Sequence, residues 1–312
     1  MFLKEIIQLD FHMNHTTNRI LFEKPDLSRL KNNYTVVDLH FHSHYSDGTN
    51  SIPDIAQRAY DLGIGIAITD HNEIEGALEL DRYSSVFSIP GIEVSSREGT
   101  HLLLYFEDID VLKTFYHKNV RPFMGHDVMS SISIPLLDII QRARKYPCVI
   151  IFPHPYCAAY TGICNLHFSA DQQARLMEAA DGVEAINSEN LHKWNLKSAL
   201  LGFNLNKAVT GGSDGHSIEH MGNVVSYAPC LPSRKAFLDC IRHRHNKVIG
   251  KEIDMFKKVR SNGLKLKTNL RNYPDLIDKN IKYTRIVIHS KSKLIKDNFR
   301  RSLNEKMNRY FF

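Results

Sequence analysis

The residues best suited to chemistry begin in one stretch, Asp38-Leu39-His40-Phe41-His42-Ser43-His44-Tyr45-Ser46-Asp47-Gly48. Side chains alternate along a strand, so Asp38, His40 and His42 point to one side of it, and two imidazoles reach a common point at its end. That is the start of a metal site. His71, Glu93, His101, His154, Asp214 and His216 fall at the strand ends that follow, making six histidines and three carboxylates with His40, His42 and Asp47. Imidazoles mixed with carboxylates suit Mn²⁺, Fe²⁺ or Zn²⁺ rather than Mg²⁺ or Ca²⁺, which favour all-oxygen shells. Nine ligands are too many for a single ion.

The elements that must position these residues read as alternating strands and helices. Apolar runs predict strands over Val36–Leu39, Ile64–Ile68, Phe87–Val94, His101–Phe106, Cys148–Phe152, Val183–Ile186, Lys207–Thr210 and Val224–Ser226. Helical patterns fill Ile52–Leu62, Glu75–Asp81, Ile134–Tyr146, Ala170–Ala180, Leu191–Leu201 and Ser233–Arg244. Such alternation predicts an α/β fold of parallel strands joined by crossovers. With the ligands at C-terminal strand ends, a TIM-like barrel is the simplest closed form. Beyond Lys251 the alternation fades, with one further strand predicted over Thr284–His289.

In motif order and spacing the chain resembles the polymerase and histidinol phosphatase (PHP) phosphoesterases, whose motifs run D-x-H-x-H…S-D-G, T-D-H, G-[IV]-E, H-P and S-D-x-H. Here they read Asp38 to Gly48, Thr69-Asp70-His71, Gly91-Ile92-Glu93, His154-Pro155 and Ser213-Asp214-Gly215-His216. The resemblance spans Thr35 to Gly250 and implies a distorted seven-stranded (β/α)7 TIM-like barrel. Carried over position by position, it implies three metals. His40, His42, Glu93 and Asp214 would hold the first; Glu93, His101 and His154 the second, with Glu93 bridging; and Asp47, His71 and His216 the third. Three divalent ions, three carboxylates and one bridging hydroxide leave a charge of about +2, which suits a phosphate ester. The implied chemistry is direct hydrolysis by a metal-bridging hydroxide, with no catalytic residue beyond the metal site. The substrate would be a nucleotide or sugar phosphomonoester, or the 5′ end of a nucleic acid, making the enzyme a phosphatase or a 5′–3′ exonuclease.

Arg97, Lys193 and Tyr156 are the nearest phosphate clamps by loop position, and Trp194 could stack a base. Asp38 is expected to orient a histidine, and His44 to lie at the surface. Glu184 and Asn187 could brace the site, contact substrate or be ordinary strand-end residues. His220 has no assigned role.

The 312 residues suit one large domain, here divided into a lead-in (1–34), a barrel (35–250) and an extension (251–312). No apolar run approaches the roughly 20 residues of a membrane span. The N-terminus lacks a signal layout, so a cytoplasmic protein is expected. Five scattered cysteines do not suggest a disulfide framework. Residues 251–312 hold 17 Lys and Arg against 6 Asp and Glu, a surplus of 11 that leaves the first 250 residues at −5 within a total of +6. A basic tail suits a polyanion such as single-stranded nucleic acid. Two other classes are a non-catalytic metal-containing module that binds nucleic acid and an amidohydrolase-like metallohydrolase. All nine ligand positions are filled, which disfavours the first. Glu93 stands where the second usually has a bridging lysine.

Overall fold

The computed structural model describes residues 19–157, 161–165 and 167–253. The basic segment after residue 253, with the strand predicted at Thr284–His289, lies outside the described residues, as does most of the N-terminal lead-in. In chain order the elements are β1 (Ile20–Leu21), α1 (Leu27–Leu30), β2 (Thr35–Phe41), α2 (Ile52–Leu62), β3 (Gly65–Ile68), α3 (Glu75–Leu80), β4 (Gly91–Ser95) and β5 (His101–Phe106). Then follow α4 (Ile109–Asn119), α5 (Leu136–Ala143), β6 (Cys148–Phe152), α6 (Ala170–Ala179), β7 (Gly182–Asn187), α7 (His192–Asn204), β8 (Ala208–Gly212), β9 (Val224–Ala228), α8 (Arg234–Arg242) and β10 (Lys247–Gly250).

Helix α2 illustrates how local chemistry sets these boundaries. Ser51 accepts the Asp54 N–H, Pro53 sits in the first turn, and Gly63 closes the helix with φ at 66°. Its Ile52, Ile55, Ala56 and Ala59 share one face and are buried. The strands β2 to β9 are buried along almost their whole length, as their continuous apolar runs require.

The strands form two five-stranded sheets, β1-β10-β9-β2-β3 and β4-β5-β6-β7-β8. The fold is α/β, but two sequence expectations need correction. Half of the eight pairings are antiparallel, namely β10–β9, β2–β9, β4–β5 and β5–β6. The loop between β4 and β5 is too short for a crossover, so those strands form a hairpin. In addition, continuous pairing does not close the described strands into a seven-stranded barrel. Strand β9 already pairs with β2 along Thr35–Val37, so β8 can reach β2 only near its end. There the segment just after β8 forms the bridge Phe41–Gly215, while His71–Glu93 and Ile66–Ser88 link the other edges.

Apolar packing holds the two sheets together. Leu39, Leu103, Tyr105 and Ile151 join Phe237, Leu238 and Ile241 of α8 in one buried cluster that draws on both sheets. Across it the Tyr105 hydroxyl donates to the Leu39 carbonyl at 2.7 Å. Among the described residues no helix is long and apolar enough to cross a membrane.

At the seam Gly212 lies directly against His40, and a Cβ there would come within 2.6 Å of the His40 backbone nitrogen. Only a residue without a side chain allows this approach. Gly212→Ala is therefore expected to cost about 1–3 kcal/mol through overpacking, measured as a lowered denaturation midpoint. An unchanged midpoint would show the seam to be loosely packed.

Candidate metal centre

Glu93 sits in the middle of β4 and is 1% exposed. Its Oε2 stands 3.4 Å from His40 Nε2, 3.4 Å from His42 Nε2 and 3.1 Å from His71 Nδ1. Its Oε1 stands 2.8 Å from His101 Nδ1 and 3.4 Å from His154 Nε2. One carboxylate thus faces five imidazoles. Because β5 runs antiparallel to β4, its first residue, His101, arrives at the same end as the last residues of β2 and β6. The hairpin that breaks the crossover pattern is what delivers His101.

A second group lies beside the first. His216 Nε2 is 2.9 Å from Asp47 Oδ2, His71 Nε2 is 3.9 Å from Asp47 Oδ1, and His42 Nε2 is 3.1 Å from Asp214 Oδ1. Four triplets of candidate ligand atoms result: His40, His42 and Glu93; His42, Asp214 and His216; His42, Asp47 and His71; and His71, Glu93 and His101. The structure brings all nine residues named from the sequence into one cup.

Five of these eight separations match what a metal demands of its ligands. Two donors each about 2.1 Å from one ion stand about 3.0–3.4 Å apart in octahedral or tetrahedral geometry. His71 Nδ1 and Glu93 Oε2 lie at 3.1 Å without hydrogen-bond geometry, and the buried Nδ1 atoms of His42 and His154 have no hydrogen-bond partner either. Buried polar atoms that neither donate nor accept require another partner. Charge points the same way. Burial acts to raise Glu93, but the imidazoles of His101, His71 and His40 outweigh it and hold the carboxyl well below its ordinary range. Burial likewise opposes ionisation of Asp47, and His216 and His71 overcome it.

A layer of hydrogen bonds holds the ligands in place. Asp70 accepts from Ser43 N at 2.7 Å, Ser43 Oγ at 2.6 Å and Ser46 Oγ at 2.6 Å, fixing the loop that carries Asp47. Glu184 Oε1 lies 2.9 Å from His40 Nδ1, which leaves Nε2 to face Glu93, and Glu184 Oε2 accepts from His154 N and Asn187 Nδ2, each at 2.9 Å. Asp38 plays a different part from the one expected, since it touches no imidazole. It accepts the backbone N–H groups of Ser213 and Gly222, each at 2.9 Å, and so ties the loop after β8 to β2. Burial pushes its carboxyl up to about 6. His154 and Asp214 adopt φ of 30° and 51°, conformations that L residues seldom take and that tend to gather at functional sites.

The cleft above the cup, about 220 Å³, is lined by Asp47, His71, Glu93, His101, His154, Cys157, Thr161, Asn187, Glu189, Asn190, Asp214 and His216. No lysine or arginine is among them. Arg97 is 63% exposed beside Glu98, and Lys193 stands over the Trp194 ring at 5.3 Å on α7. Neither is among the described lining residues, nor is Tyr156, whose carbonyl accepts from Asn190 Nδ2 at 2.7 Å. His44 is exposed, as its position predicts. Sequence reasoning missed Asp70, Glu189 and Asn190. The T-D-H spelling held a signal for Asp70, whereas the two loop residues carry none.

Glu93→Ala should release more metal than His101→Ala, because the glutamate faces two ligand groups and the histidine one. Metal analysis of the two purified variants measures this, and equal losses would contradict a shared carboxylate.

The chain matches the PHP domain family over residues 38–179. An uncharacterized protein of Methanocaldococcus jannaschii is 25% identical over 166 residues, covering 48% of this chain and 81% of that protein. The fold is similar to the lesion-specific endonuclease EndoQ of Pyrococcus furiosus, with a TM-score of 0.56 and 18% identity over 69% of this chain and 57% of that one. It is also similar to a two-domain protein from Bacteroides vulgatus containing a predicted PHP-like metal-dependent phosphoesterase, with a TM-score of 0.52 and 17% identity over 77% of this chain and 72% of that one. The present chain spans little more than half of the endonuclease.

Proposed function

We propose, for a chain that carries a PHP domain over residues 38–179, that the cup is the active site of a metal-dependent phosphoesterase acting on the 5′ end of a nucleic acid. The observation that carries this reading is the buried Glu93 carboxylate facing five imidazoles. His40, His42, Glu93 and Asp214 would hold one ion; Glu93, His101 and His154 a second; and Asp47, His71 and His216 a third. Mn²⁺, Fe²⁺ or Zn²⁺ bound there would supply Lewis acidity toward phosphoryl oxygens and acidify water.

The protein's own part is to orient these groups and to set the charge. Its three candidate ligand carboxylates face six imidazoles, and the described residues of the cleft lining include no lysine or arginine. The cleft is also smaller than the roughly 300–1,000 Å³ of pockets that enclose a whole small ligand. It grips a phosphoryl group and leaves the rest of the substrate outside. That favours a polymer end over an enclosed metabolite, as does the surplus of 11 positive charges in residues 251–312. Lys193 beside Trp194 would serve the strand outside the cleft.

The test is to incubate full-length, Mn²⁺-loaded protein with a short 5′-phosphorylated RNA and follow products by mass spectrometry beside His40→Ala. Stepwise loss of nucleotides by the wild type alone is expected. Release of phosphate alone would move the substrate to phosphomonoesters, and no product from either RNA or nucleotide phosphates would overturn the reading. In heavy-oxygen water one label per turnover should enter the phosphate at the newly formed 5′ end of the shortened RNA. Label found in the protein would show a covalent intermediate.

A further inference from the structure

Asn187, the last residue of β7, is 1% exposed and lies between two carboxylates. Its Nδ2 donates to Glu184 Oε2 at 2.9 Å and to Asp214 Oδ2 at 3.1 Å, and a carboxamide nitrogen has two hydrogens to give. Its Oδ1 accepts the Glu189 N–H at 2.9 Å. The amide therefore stands one way round, because reversed it would set its oxygen against two carboxylates and its nitrogen against an N–H. The backbone of Asn187 is fixed as well. Asn195 of α7 accepts the Asn187 N–H through Oδ1 at 3.2 Å and donates to the Asn187 carbonyl through Nδ2 at 2.9 Å. The pairing of β7 with β8 sets Asn187 opposite Gly212, two residues before Asp214.

We propose that Asn187 is a positioning residue that decides which oxygen of Asp214 faces the metals. This rests on the metal-dependent reading above. The terminal torsion of an aspartate is broad and two-fold, so nothing intrinsic to the side chain chooses between its oxygens. Here the amide engages Oδ2 and turns Oδ1 toward the imidazoles, 3.1 Å from His42 Nε2 and 3.5 Å from His40 Nε2. Asp214 thus serves as a one-oxygen ligand of the ion that His40 and His42 share. Glu184 anchors the amide from the other side, and it is itself fixed by the His154 N–H at 2.9 Å. The type of donor matters too. A lysine on the same oxygen would cancel charge that a cation needs, whereas a carboxamide orients the carboxylate without adding charge. Both amide hydrogens are spent on carboxylates, which assigns the group to the ligands rather than to substrate.

A positioning role differs from a packing role in acting only through its target, so removing the target abolishes it. The experiment titrates Mn²⁺ into metal-free, full-length protein and reads unbound Mn²⁺ by electron paramagnetic resonance. It compares wild type, Asn187→Ala, Asn187→Leu and Asp214→Ala, and each Asn187 variant combined with Asp214→Ala, with thermal melting as the check of folding. Leucine keeps the side-chain volume and removes both donors, so it carries the test if the alanine variant does not fold. Either Asn187 variant should weaken one Mn²⁺ site about 10–100-fold. In the Asp214→Ala background the same substitutions should weaken it no further. Equal weakening with and without Asp214, or none in either background, overturns the assignment and leaves the metal centre standing. An Asp214→Ala variant that binds Mn²⁺ as tightly as the wild type removes Asp214 from the ligand set and the proposal with it. A wild type that binds no Mn²⁺ overturns the metal-dependent reading and this inference together.

Discussion

The carboxylate of Glu93 is the constraint on which the rest of the structure depends. Removing a charge from water costs several kcal/mol even after the surroundings relax, and an attraction repays this only with close, well-oriented partners. Glu93 has five, contributed by β2, β5 and the segments that follow β2, β3 and β6. Those segments have to end at one place and in one orientation. The hairpin between β4 and β5, the single bridge between His71 and Glu93, and the approach of Gly212 to His40 all serve that convergence. The cup gathers carboxylates and imidazoles, and the described residues of the cleft lining include no lysine or arginine.

Around the cup the remaining buried carboxylates act on the backbone as much as on side chains. Asp38 ties the loop after β8 to β2, and Asp70 pins the loop that carries Asp47. Glu184 does both, fixing the His40 ring and the His154 amide together. Candidate ligands on irregular segments such as His154 and Asp214, whose φ angles are positive, are held by such contacts.

Much of this was legible in the sequence, for reasons that differ by element. Helix α2 and strands β5 and β6 fall at their predicted boundaries, because a cap, a glycine and an uninterrupted apolar run are local signals. The nine residues of the cup could be named because the motifs that carry them resemble those of the PHP phosphoesterases in order and spacing. Strand direction was not legible. An apolar run reads the same whether its neighbour is parallel or antiparallel, so β9 beside β2 and the β4–β5 hairpin appear only in three dimensions. Helix α4 was missed, although Asp108 caps it through Asp110 and Val111. The hydrogen bond from Asn187 to Asp214 was equally hidden, since no local pattern links residues 27 positions apart.

The most direct test of the central claim is the anomalous scattering of crystals grown with Mn²⁺. The account predicts metal peaks on both sides of the Glu93 carboxylate, one within reach of His40 and His42 and another within reach of His101 and His154. A cup that stays empty at saturating Mn²⁺, or a single ion bound away from Glu93, would contradict it.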